Sequence, residues 1–144
     1  MGKINLGRVI IAGIVAGLVA DILGFVVDGV LLAPQWAAGM RALGRTELFS
    51  PSQLIWINLL GLLGGIALIW IYAAIRPRFG PGPITAVLAG VAFWVVGYLL
   101  PNLTFMWFGG LFPRQLTLLT TFGGVVEMVL AAIAGAALYR ESAS

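Results

Sequence analysis

Cysteine and histidine are absent from this 144-residue sequence, and charge is scarce, with eight lysines and arginines and five acidic residues making up 9% of the chain. The two missing residue types exclude thiol redox chemistry, Cys or His metal centres, and every catalytic arrangement built on a Ser–His or Cys–His pair. The shortage of charge excludes a water-facing globule. Soluble domains carry roughly 25% charged and about 45–50% apolar residues, whereas 61% of this chain is apolar. The composition therefore describes a membrane protein whose first partner is the lipid bilayer. Nothing in it suggests nucleic-acid binding, and no catalytic or metal-ligating motif is present.

A hydrocarbon core about 30 Å thick needs about 20 mostly apolar helical residues to cross it. Four windows of that length appear, at about 9–32, 54–75, 84–103 and 116–138. They are long unbroken apolar runs, whereas barrel strands would show short alternating segments, so helices are expected. The first run continues past Asp21 to Leu32 with no small-x-small cleavage site, so it reads as a retained span and not a signal peptide. Asn102-Leu103-Thr104 matches a glycosylation sequon by chance, lying too near the membrane to be used.

The linkers are short. In the first, Pro34 to Gly44 reads as a brief interfacial helix, with proline near its start, glycine at its end, and Trp36, Met40 and Leu43 on one face. The second, Arg76 to Pro83, holds three prolines and two glycines and is expected to be a non-helical basic turn. The third, Thr104 to Gln115, carries Phe105, Trp107, Phe108 and Phe112, the aromatic content of a segment at headgroup depth. Lys3, Arg8, Arg76, Arg78 and Arg140 fall on one side, and Arg41, Arg45 and Arg114 on the other. The imbalance favours both termini in the cytoplasm.

Helices in lipid associate through small residues that let backbones approach and polar residues that bond across the interface. At 100° per residue, Gly13, Gly17, Asp21, Gly24 and Asp28 form one narrow stripe on the first span. Thr117, Thr120, Gly124, Glu127, Ala131 and Gly135 do the same on the fourth. Asn58, Gly61, Gly65 and Tyr72 line one side of the second span, and Ala86, Gly90, Gly97 and Pro101 one side of the third. The glycines mark packing faces. The acids are less ordinary, because an Asp at a helix centre costs about 2.5–3.5 kcal/mol on insertion scales.

Asp21 and Glu127 each lie at the middle of a span, near the bilayer midplane, and Asp28 lies two turns nearer the outer face with Asn58, Tyr98 and Asn102. No basic residue falls inside these spans. Two neighbouring midplane carboxylates cannot both be ionised without a cation. Three readings follow: the acids exchange a proton or hold a cation, they meet a polar group on another subunit or a cofactor of unknown identity, or they are neutral and lock the bundle by hydrogen bonds. The half of the spans nearer the termini has no comparable polar path, which argues against simple conduction.

The opening Ile4-Asn5, the long first span, Trp36 with the segment Leu43-Gly44-Arg45-Thr46-Glu47, and the ending Gly135-Ala136-Ala137-Leu138-Tyr139-Arg140 resemble small four-span bacterial inner-membrane proteins of unknown function. The sequence departs from them at the outer end of the first span, where Asp28 and Gly29 replace aromatic residues. The resemblance implies the fold and no activity. The expected architecture is a single all-α transmembrane domain over residues 1–144, a bundle of four helices with an interfacial helix after the first span. The expected function is non-enzymatic, as a homo-oligomer or an accessory subunit of a larger membrane complex. The alternative is a proton- or cation-coupled small transporter or channel using the midplane carboxyls.

Overall fold

With no water to satisfy them in the hydrocarbon layer, backbone amides and carbonyls must bond to each other, and the chain answers with helix almost throughout. The computed structural model describes residues 3–46 and 49–141. Glu47, which ends one of the compared segments, lies outside the described residues. Helix α1 spans Leu6–Leu31, α3 Pro51–Phe79, α4 Pro83–Phe108 and α5 Arg114–Leu138, each long and apolar enough to cross a membrane. The short α2, Ala33–Ala42, follows the first span. There is no strand among the described residues. This is an all-α bundle with the architecture of a multi-pass membrane protein.

Local sequence explains the ends. Asn5 caps α1, its side-chain oxygen accepting the Arg8 N–H at 3.1 Å. Ser50 and Gln53 form a reciprocal capping box at α3, with Pro51 in the first turn. Gly80, at φ +82°, ends α3 in a backbone region that L side chains rarely adopt.

Two boundaries differ from the sequence expectation, both because of proline. The Arg76 to Pro83 linker is helical as far as Phe79, with Pro77 inside the helix. In a last turn its missing N–H forfeits only one bond to the preceding turn, and the Gly80 N–H still bonds the Arg76 carbonyl at 2.8 Å. The third span continues beyond Leu103 to Phe108. Pro101 cannot donate to the turn before it, and the helix passes it by widening to i→i+5 bonding over Val95–Leu99 and Asn102–Phe108. Phe105, Trp107 and Phe108 are thus the end of a helix, not a linker. In α2 Gly39 is buried and Trp36 and Met40 are half-buried on the same side, while Leu43 is exposed.

Helix α1 packs on α3 and α5, and α4 packs on α5 and more lightly on α3. The α1–α3 crossing is backbone on backbone. A Cβ added at Gly17 would stand 2.7 Å from Leu62 Cα, and Cβ atoms at Gly13 and Gly65 would overlap the backbones of Ile66 and Gly17. Gly90 meets the Met128 carbonyl and Gly135 the Ala12 carbonyl, each at 2.8 Å from an added Cβ. Gly97 differs, with only the Phe93 ring of its own helix nearby, at 3.7 Å.

The apolar core, including Val9, Ala12, Ala16, Leu68, Ile69, Ala86, Ala89 and Ala132, lies toward the end of the bundle where the termini meet. That end is also tied by polar contacts. Tyr139 stands edge-on to Tyr72 at 6.0 Å and its hydroxyl accepts the Asn5 N–H, while Arg76 lies 5.5 Å above the Tyr139 ring and 3.5 Å from the Glu141 carboxylate. The opposite end is looser, and residues 51–60 of α3 are exposed on every side. Replacing Gly65 by leucine should lower stability in detergent by about 1–3 kcal/mol through overpacking, whereas Gly97→Ala should change it by less than about 0.5 kcal/mol. Unfolding curves followed by circular dichroism check this, and equal stability of Gly65→Leu and wild type would refute the crossing.

Candidate functional site

Helix α5 is the most enclosed span, with half of its most apolar window buried. Small and hydroxylated residues face inward along it, and the threonines bond back to their own helix: Thr120 donates to the Leu116 carbonyl at 3.0 Å and Thr121 to Thr117 at 2.6 Å. This lets polar side chains sit inside the bundle without orphaned hydroxyls.

Helix α4 supplies a row of donors one turn apart. The Trp94 indole N–H donates to the Thr121 carbonyl at 2.7 Å, the Tyr98 hydroxyl to Glu127 Oε2 at 3.0 Å, and the Asn102 amide to Thr121 Oγ1 at 2.8 Å. Spacing of i, i+4 and i+8 keeps all three on one face. Tyr98 fits because Gly124 lies under its ring, where a Cβ would overlap it.

Glu127 is the centre of this seam. It is 1% exposed, and among the described residues its Oε1 has no hydrogen-bond partner. Two glycines leave room beside the carboxyl: an added Cβ at Gly24 would stand 3.5 Å from Oε2, and one at Gly123 3.7 Å from Oε1. Asp28 lies on α1 next to Val27, whose Cγ1 would stand 2.9 Å from a Cβ added at Gly123 on α5. Asp28 Oδ1 accepts the Trp36 indole N–H at 3.0 Å. Trp36 stands edge-on to Phe112 at 5.0 Å, and Gly39 lies under Phe112, so α2 is folded against the end of the bundle and holds Asp28.

Among the described residues the three widened helical stretches each contain a polar side chain of this region. In α1 the winding opens over Phe25–Leu31, where the Leu32 N–H reaches back to the Val27 carbonyl at 2.8 Å, and this stretch contains Asp28. Gly29 accommodates the Phe25 ring, which an added Cβ would meet at 2.9 Å. In α4 the two widened stretches contain Tyr98 and Asn102. Such turns are uncommon in helices and concentrate at functional sites.

The structure thus gathers Glu127, Tyr98, Asn102 and Asp28 around one seam and leaves two other sequence candidates apart from it. Asp21 is half-buried against Gly61, where an added Cβ would overlap its carboxylate, and that carboxylate makes no hydrogen bond among the described residues. It faces α3 instead of pairing with Glu127. Asn58 is exposed on the outward-leaning part of α3, its amide donating to the Leu54 carbonyl of its own helix at 2.7 Å. Sequence reasoning missed Trp94, Thr121 and Gly123, and it placed Trp36 only in the interfacial helix. The spacing of Trp94, Tyr98 and Asn102 was the available signal. The surface grooves lined by Ile71, Phe93 and Val96, and by Tyr72, Pro83 and Ile133, are apolar, and Glu127 lines neither.

Comparison with protein-family models, curated proteins and solved structures finds no match. Among the described residues no group of three or more acids, histidines or cysteines could hold a metal ion. What the seam can do chemically is accept a proton or a single positive charge at Glu127. Removing the phenolic hydroxyl with Tyr98→Phe should destabilise the protein by about 0.6–2 kcal/mol. In a double-mutant cycle with Glu127→Met, which removes the acceptor while keeping most of the volume, unfolding free energies should show coupling of similar size. Strict additivity would mean that the bond contributes nothing.

Proposed function

We propose that the chain is a small, non-enzymatic integral membrane subunit of a bacterial inner membrane, with both termini in the cytoplasm, that assembles with a second copy of itself through the outer part of α3. The orientation rests on the greater number of basic residues at the termini end, Lys3, Arg8, Arg76, Arg78 and Arg140, against Arg41, Arg45 and Arg114. One observation carries the assembly: Asn58, two turns inside a membrane-spanning helix, is exposed, and among the described residues its side chain bonds only to the Leu54 carbonyl of its own helix. Exposed leucines need no partner in lipid, but an amide does, and interhelical bonds of such side chains contribute about 1–2 kcal/mol in model peptides. Two copies related by a twofold axis would place one Asn58 against the other, since a twofold interface is self-complementary.

A second reading, transport coupled to a proton or cation through Glu127 without Asp21, is favoured by the enclosed Glu127 carboxyl, whose Oε1 has no partner among the described residues. The tight packing at the termini end supports binding over conduction.

The absence of cysteine makes the assembly testable without background. Leu54→Cys lies on the same face as Asn58 and should form a disulfide-linked dimer in membranes, while Trp56→Cys on the opposite face should not. Adding Asn58→Leu to Leu54→Cys should reduce the cross-linked fraction by about fivefold or more, the factor for about 1 kcal/mol. Equal cross-linking at positions 54 and 56, or none at either, would remove this interface.

A further inference from the structure

We propose that the groove where α3, α4 and α5 meet at the termini end holds one molecule of anionic membrane phospholipid, with an acyl chain in the groove and the phosphate beside Arg76. The inference is independent of the assembly through α3 and of any role for Glu127.

The starting point is an arginine whose donors are unspent. Arg76 stands in the last turn of α3 with its side chain 19% exposed, and its enclosed Nη1 has no hydrogen-bond partner among the described residues. The Glu141 carboxylate at 3.5 Å supplies an opposite charge, and the Tyr139 ring at 5.5 Å a favourable face. Neither satisfies the guanidinium, which carries five N–H groups in a planar fork and cannot shed its charge. Such a fork matches phosphate oxygens two at a time. Water could serve Arg76 alone, but the groove beside it selects an amphiphile.

Tyr72, one turn before Arg76, lines that groove together with Ala86, and both are buried; the more exposed Pro83, Ile133 and Ala137 form its rim. Tyr139, beneath Arg76, stands edge-on to Tyr72 at 6.0 Å, so a single ring links the guanidinium to the groove lining. The groove has a volume of about 160 Å³, and an apolar cavity of about 150 Å³ takes up a hydrocarbon the size of benzene. A stretch of acyl chain therefore fits. Polar groups gather where α4 begins. The Gly82 N–H donates to the Tyr72 hydroxyl at 3.2 Å, and no side chain caps the helix that starts at Pro83, so the positive end of its dipole adjoins the groove.

The charge of this end selects the lipid. Lys3, Arg8, Arg76, Arg78 and Arg140 lie there against one acid, Glu141, and each basic residue near a headgroup favours an anionic lipid by about fivefold. A second copy of the chain seated here about a twofold axis would set two such basic ends side by side, which opposes that occupant.

The test is native mass spectrometry of the full-length protein released from detergent containing equal amounts of phosphatidylglycerol and phosphatidylcholine with matched chains. One phosphatidylglycerol per chain should be retained, about fivefold or more above phosphatidylcholine. Arg76→Gln should lower phosphatidylglycerol retention about fivefold and leave phosphatidylcholine unchanged, whereas Arg114→Gln, which removes a charge from the other end, should alter neither. Glu141→Gln should keep or raise retention, an outcome that a purely structural role of the Arg76–Glu141 pair would not give. Ala137→Phe fills the groove from an exposed position and should lower retention of both lipids severalfold with an unchanged circular dichroism spectrum. Equal losses from Arg76→Gln and Arg114→Gln would reduce the effect to general surface charge and overturn the site. Displacement of the lipid by inorganic phosphate would show that the headgroup binds without the groove, and would overturn the proposal. Unchanged lipid retention in Ala137→Phe with altered self-association would assign the groove to a second copy instead. Cross-linking at Leu54→Cys in the same samples reports the assembly through α3 separately.

Discussion

The arrangement depends on the contact of two backbones. Where α1 crosses α3, glycines at 13, 17 and 65 remove the side chains that would hold the helices apart, so that main-chain atoms of one rest on those of the other. Two rods in contact at one point diverge beyond it unless side chains draw them back. Toward the termini they are drawn back, because alanines and branched apolar residues fill the interior and Tyr72, Arg76 and Tyr139 tie the end. Beyond the crossing in the other direction α3 leans out, and its residues 51–60 lose contact with the bundle. One close approach therefore sets a tight end and a loose one.

On the loose side, hydrogen bonds replace apolar filling. The row Trp94, Tyr98 and Asn102 on α4 meets Thr121 and Glu127 on α5, and each bond is made in a medium that offers no competing water. The helices deform to make it so. Widened turns in α1 and α4 adjoin this seam, while α3 and α5 are regular α-helix throughout. Widened winding and buried polarity fall in the same place, which is where natural sequences depart from locally ideal geometry for the sake of function.

Much of this was legible in the sequence. Span number and helical class followed from length and apolar content, since few other structures survive in hydrocarbon. The glycine stripes could be placed by their spacing, and Glu127 stood out as an acid among small residues. Helix ends at Pro77 and Pro101 were misjudged, because a proline breaks a helix only where neighbouring turns cannot adjust, and here one sits in a last turn and the other between widened turns. Pairings across the bundle were hidden for a different reason. A stripe says which face a residue occupies and not which helix lies opposite, so Asp21 looked like a partner for Glu127 although it faces Gly61. The Trp36–Asp28 bond was hidden because it depends on α2 turning back over the bundle.

The order of elements along the chain has a consequence for biogenesis. Of the four spans, α5 has the lowest mean hydropathy, 1.9 against 2.5 for α1, and the largest buried share. It is thus the span least suited to stand alone in lipid. It is also the last to be synthesised, and it leaves the translocon after α4 has carried Trp94, Tyr98 and Asn102 into the bilayer. The least apolar span therefore enters the bilayer after the donors that its acceptors meet.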